Sequence, residues 1–103
     1  MIDRLIVEGL ERDAGNERKS HEKHGVTANE AEQVFFNQPL LVIGDAVHST
    51  RESRWHAMGM TDDAHHLHLT FTLRRAGRSI RVISARDMHR KERAIYAQSH
   101  EEH

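Results

Sequence analysis

From His66 to Arg74 the chain alternates without a break: Leu67, Leu69, Phe71 and Leu73 on one side, His66, His68, Thr70, Thr72 and Arg74 on the other. Successive side chains of a strand point to opposite faces, so this is a strand with one apolar and one polar face. Arg75-Ala76-Gly77-Arg78 makes a tight hairpin connection, and Ser79 to Ser84 returns as a second strand. A sheet with one greasy face must bury it against another layer. The rest of the chain has to supply that layer.

The other elements follow from local signals. Thr27-Ala28-Asn29-Glu30 is a capping box, with Thr as N-cap and Glu at N3, and Ala31, Val34 and Phe35 follow at helical spacing. This helix stops before Pro39. Upstream, Asn16 to Lys23 reads as a short helix ended by Gly25, while Arg4 to Val7 fits either an edge strand or the start of a helix. Downstream of Pro39 the period changes. Leu40 to Ile43 and Arg54 to Met60 read as strands, and Thr61-Asp62-Asp63 as a polar turn. Asp87 is placed to cap a last helix running to about Gln98, with residues 99–103 expected to fray. The expected class is α+β: an antiparallel meander with N-terminal helices and a C-terminal helix. At 103 residues it is expected to be a single domain, 1–103.

Charge sharpens the picture. Thr72 to Tyr96 holds eight Arg and Lys against two acids, although the chain has a formal net charge of -1 with its ten His neutral. Segregated Arg on a small domain points to a phosphate-bearing partner, RNA or another polyanion. There are no Cys, so disulfides and Cys-based metal sites are excluded and a reducing compartment fits. The N-terminus lacks a basic region followed by a long apolar run, so no signal peptide or membrane span is expected, and a cytoplasmic location is.

Several motifs occur in a telling order. Lys23-His24-Gly25-Val26 precedes the capped helix with Ala31 and Val34-Phe35. Glu52-Ser53-Arg54-Trp55 leads to Gly59. Ile80-Arg81-Val82-Ile83-Ser84-Ala85-Arg86 is followed by Glu92-Arg93 and Tyr96. Together they resemble the BrnT family of type II toxins over roughly residues 13–96. The resemblance implies a RelE-like α+β fold and an endoribonuclease that cleaves mRNA and arrests translation. It also implies a BrnA-like antitoxin partner, and is compatible with a homo-oligomer inside the toxin–antitoxin complex. Arg12-Asp13, Asn16 and Ser20 depart from the family pattern, which has Trp-Asp, Lys and Asn at those places. These departures favour two alternatives, a non-catalytic RNA-binding protein and a degenerate toxin fold kept as an interaction module.

RNA cleavage by 2′-hydroxyl attack needs a base, cations for the crowded phosphate, and an acid for the leaving oxygen; it requires no metal or cofactor. Arg81 and Arg86 are the first choices for phosphate, because guanidinium offers a planar fork. Arg81 should project from the face opposite Ile80 and Val82. Arg86 should sit at the strand-to-helix junction. Glu52 and Arg54 share a face of a strand entry, with Trp55 on the other side; Glu52 is either a general base or an ion-pair partner for an Arg. Lys23 would contact phosphate and His24 would exchange a proton, although cations at a helix C-terminus also have a purely structural reason. Arg74, Arg90 and Arg93 are expected to bind RNA. Trp55 is expected in the core rather than as a base-stacking platform. His66 and His68 share a strand face but have no evident third ligand, so a metal site is not expected.

Overall fold

Thr27 opens a helix through the reciprocal bonds its sequence expects. Its side-chain oxygen accepts from the Glu30 N–H at 3.1 Å, and Glu30 Oε1 accepts from the Thr27 N–H at 3.2 Å. Amide groups at the helix start that lack intrahelical partners are thereby satisfied. The computed structural model describes residues 9–11, 25–47, 53–74 and 77–101. The elements are β1 (Gly9–Glu11), α1 (Ala28–Phe36), β2 (Leu41–Asp45), β3 (Arg54–Met60), β4 (His66–Arg74), β5 (Ser79–Asp87) and α2 (Arg90–Glu101). The class is α+β. Strands β2 to β5 form an antiparallel meander, and β1 adds to β5 in parallel, giving the order β1-β5-β4-β3-β2.

Helix α1 covers one face of the sheet. Ala31, Val34 and Phe35 bury against Ala57 of β3, Leu67, Leu69 and Phe71 of β4, and Ile80 and Ala85 of β5. Phe35 meets Phe71 edge to face, with ring centroids 5.2 Å apart. Full burial of a Val or Phe side chain is worth about 1.5–3 kcal/mol, so these few residues hold the helix down. Gly59 allows the approach to be close: a Cβ there would lie 2.9 Å from Val34 Cγ1. Trp55 packs against this core, as expected. A second, smaller cluster on the opposite face joins Met58, Met88 and Tyr96 with Leu41 and Met60, and seats α2 at one end of the sheet.

Local expectations are corrected at β2, at β5, at Asp87 and at both ends of α2. β2 is displaced to Leu41–Asp45, because its limits are set by pairing with β3 rather than by the apolar run. β5 runs three residues beyond Ser84, to Asp87, because Ala85, Arg86 and Asp87 still pair with Leu69, His68 and Leu67. Asp87 is consequently the last strand residue and does not cap a helix. Its carboxylate bonds instead to His65, whose other ring nitrogen lies 3.1 Å from Glu30 Oε2. α2 starts later, at Arg90, and Glu92 reaches back to accept from the His89 N–H at 2.8 Å. It also continues past Gln98, to Glu101. Gly25 has φ +70°, the left-handed conformation suited to ending a helix. The expected helix at 16–23 and the segment 4–7 lie outside the described residues.

Candidate functional site

A single extra residue decides which side of the sheet Arg86 occupies. In an unbroken strand Arg81 and Arg86, five apart, would point to opposite faces. Thr70 pairs with Ser84 but Phe71 pairs with Val82, which leaves Ile83 as a bulge. The bulge resets the alternation. Ile80, Val82 and Ala85 all join the core under α1, while Arg81, Ser84 and Arg86 lie on the other face. Arg81 thus projects opposite Ile80 and Val82, as expected.

The register assembles the polar face row by row. Arg54 of β3, Thr72 of β4 and Arg81 of β5 form one row. His56, Thr70 and Ser84 form the next. Met58, His68 and Arg86 form the third, at the end where α2 sits. Arg54 also faces Asp45 on β2. Arg74, paired with Ser79, extends the polar face beyond the first row. Thr72 is 1% exposed, and its hydroxyl donates to the Ser53 carbonyl at 2.8 Å. The strand spacing puts Arg54 and Arg81 roughly 10 Å apart at their backbones, within reach of one phosphate for two long side chains.

Arg86 is held differently. Its two terminal nitrogens donate to the two carboxylate oxygens of Glu92 at 2.7 and 2.9 Å, and one of them also donates to the Asp87 carbonyl at 3.0 Å. The Arg86 guanidinium holds the Glu92 carboxyl down at about 2, despite the opposing effect of burial; the His89 N–H assists. The fork that would have met a phosphate is engaged by α2. Arg90 and Arg93 are exposed on that helix, whose sheet side carries Glu92 and Tyr96.

From the middle row to Asp45, which lies diagonally across on β2, runs a chain of bonds that the sequence did not reveal. Asp45 accepts the Val47 N–H on Oδ1 at 3.1 Å, and its Oδ2 lies 2.8 Å from His56 Nε2. The Asp45 side chain is only 9% exposed. On the far side of the imidazole, His56 Nδ1 lies 3.2 Å from the Thr70 hydroxyl. A carboxylate can only accept, so the network assigns the ring proton to Nε2 and leaves Nδ1 to accept from Thr70. The His56 ring stacks at a tilt on His68, centroids 4.9 Å apart. Burial, and then the Arg86 charge, push His68 down to about 4, which makes it a neutral ring. Among the described residues its Nδ1 has no hydrogen-bond partner. His66 lies against Tyr96 instead. Among the described residues no three His, Asp or Glu side chains are grouped as metal ligands would be.

The structure therefore brings Arg54, Arg81, Arg86 and Arg74 to one face and leaves Arg90 and Arg93 on an exposed helix surface. Lys23, His24 and Glu52 lie outside the described residues. Asp45, His56 and Thr70 were missed. His56 carried a signal, being a polar residue two places from Arg54 in an otherwise apolar strand; Asp45 carried none, because only the β2–β3 register places it there.

The chain is a toxin of the type II toxin–antitoxin class, a class that pairs each toxin with an antitoxin. Within that class it belongs to the BrnT ribonuclease-toxin family, whose model matches residues 13–92. The match ends at Glu92, four residues short of the Tyr96 to which the sequence resemblance extends. No curated protein matches the chain. Among the described residues no helix is long and apolar enough to cross a membrane.

Proposed function

We propose that this chain is a metal-independent endoribonuclease that cleaves mRNA and thereby arrests translation. It acts as a single domain, in the cytoplasm, until a BrnA-like antitoxin binds it. The observation that carries this reading is the cross-strand row Arg54–Thr72–Arg81 on the polar face, opposite the apolar core. Two Arg flanking a buried Thr in one cross-strand row are suited to the extra negative charge of a five-coordinate phosphate. Arg74, Arg90 and Arg93 extend the cationic surface for the RNA backbone. Lys23, His24 and Glu52 remain assigned to phosphate contact and proton transfer. Arg86 acts through Glu92, fixing α2 against the sheet. Expression of the chain alone should stop growth and lower bulk translation, and co-expression of the cognate antitoxin should restore both. Normal growth at confirmed expression of folded protein would remove this reading.

One observation favours a second reading. The Arg86 fork is satisfied by Glu92 rather than open to a phosphate. A module that binds RNA without cutting it would need no more than the remaining cations. Such a protein would retard RNA in a gel and leave it intact.

A further inference from the structure

The bond chain Thr70–His56–Asp45 has the form that proton-transfer sites share: a hydroxyl on an imidazole, and a buried carboxylate orienting that imidazole from behind. We propose that His56 is a catalytic base of this ribonuclease, reached through the Thr70 hydroxyl and oriented by Asp45; this rests on the ribonuclease reading above.

Three features of the fold support the assignment. First, the row His56–Thr70–Ser84 is adjacent to the row Arg54–Thr72–Arg81 on the same face. A phosphate held by the two Arg would place its ribose within reach of Thr70. Second, the proton inventory has one direction. Asp45 is fixed by the Val47 N–H and accepts from Nε2, so Nδ1 is the basic nitrogen and it faces Thr70. Third, the His68 ring stacked beneath is neutral, so it adds no positive charge to oppose protonation of His56. The charged and titratable groups facing His56 are Asp45 from β2, Arg54 along β3 and His68 from β4, with Arg86 of β5 and Glu92 of α2 behind His68.

The step balances as follows. The 2′-oxygen forms a bond to phosphorus, and the bond from phosphorus to the 5′-oxygen breaks. The 2′-hydroxyl proton passes to the Thr70 oxygen as Thr70 gives its own proton to His56 Nδ1. Asp45 stabilises the resulting imidazolium. The departing 5′-oxygen takes a proton from water, and the hydroxide so formed removes the Nδ1 proton from His56, which resets the base. The products are a 2′,3′-cyclic phosphate and a 5′-hydroxyl, with no change of oxidation state.

The test uses the full chain and a labelled single-stranded RNA, with cleavage, RNA affinity and thermal melting measured on each variant. H56Q and T70V should lower kcat by about 10²–10³-fold, with RNA affinity and Tm close to wild type. T70S should keep most of the rate, because it keeps the hydroxyl. D45N should lower kcat and displace the acid limb of the pH–rate profile, and H56Q should abolish that limb. H66Q serves as the control and should cut at the wild-type rate. Separately, nitrogen NMR of the wild-type protein should find neutral His56 protonated on Nε2. Cleavage by H56Q at the wild-type rate and pH profile, or the opposite tautomer, would overturn the role of His56 and leave the ribonuclease reading standing. Absence of cleavage by the wild-type chain would overturn both.

Discussion

Arg86 and Glu92 are joined by two parallel bonds that tie the end of β5 to the first turn of α2. The pair lies on the polar face only because of the Ile83 bulge. Both side chains are largely buried, at 26% and 20% exposure, so solvent screens the pair less than it would a surface pair.

That geometry separates two arginines one motif apart. R86A strands a partly buried carboxylate and should cost on the order of 2–4 kcal/mol. R86K cannot reproduce the fork and should restore only part of the loss. R81A should cost less in Tm than R86A and lower RNA cleavage by about 10²–10³-fold. R78A, at the exposed hairpin, should do little to either. Melting curves and cleavage rates on the four variants decide this; a Tm loss for R81A equal to that for R86A would remove the distinction.

Why the sheet was legible and its bulge was not follows from the range of the forces involved. The limits of β4 follow from strict alternation, and the start of α1 from a capping box closed within four residues. These are local signals. The run Ile80 to Arg86 breaks its alternation at the apolar pair Val82-Ile83, but only the register with β4 shows that Ile83 is the residue skipped. The pairing of Gly9–Glu11 with β5 was unreadable for the same reason, since three residues carry no period. Asp87 had the right chemistry for a cap and the right place in the chain, but its pairing with Leu67 and its bond to His65 take it out of use. The cationic row was half visible: Arg81 stood out by charge, while its alignment with Arg54 is a matter of register.

Two histidines should give opposite pH signatures. His65 lies between Glu30 and Asp87, and the bond to Glu30 above all raises it, against burial. Its contribution is complete below the ordinary histidine value of 6.5 and is lost as pH rises through its raised folded value. Glu30, lowered chiefly by the same bond, contributes above 4.5 and loses its share as pH falls. The Tm deficit of H65Q should therefore be largest near pH 6 and vanish in alkali. His68 is neutral and buried, so its contribution is complete above 6.5 and is lost as pH falls toward about 4. H68Q should flatten the acid arm of the stability curve between those values. An H65Q deficit that grows with rising pH would contradict the assigned network.

Gly59 is the point of closest approach between α1 and the sheet. A methyl group there would sit 2.9 Å from Val34 Cγ1 and 3.4 Å from the Val34 carbonyl. The side-chain contact has no room to yield, because Val34 is fully buried, and the carbonyl belongs to the helix backbone. G59A should therefore destabilise by about 1–3 kcal/mol, read as a shift in the denaturation midpoint at constant slope. G44A meets only Trp55 ring atoms at 3.5 Å and beyond, and should cost less. Equal midpoints for the two variants would show that the helix rides farther from β3.

Cleavage should not depend on a divalent ion bound to the enzyme. The proton acceptor proposed here is an imidazole, the phosphate is met by Arg54 and Arg81, and neither group needs a metal to act. EDTA-treated protein should cut at an unchanged rate. The upstream fragment should end in a 2′,3′-cyclic phosphate or 3′-phosphate, and the downstream one should begin with a 5′-hydroxyl. RNA carrying a single 2′-deoxy sugar at the cut site should bind and stay intact, because the attacking oxygen is missing. H66Q/H68Q speaks to the same point, with Tm measured alongside because His68 is buried against His56. The double variant should keep a metal-independent rate at temperatures where it remains folded. Strict dependence on a divalent ion, together with 5′-phosphate products, would rule out 2′-hydroxyl attack and return the strand-face histidines to consideration as ligands.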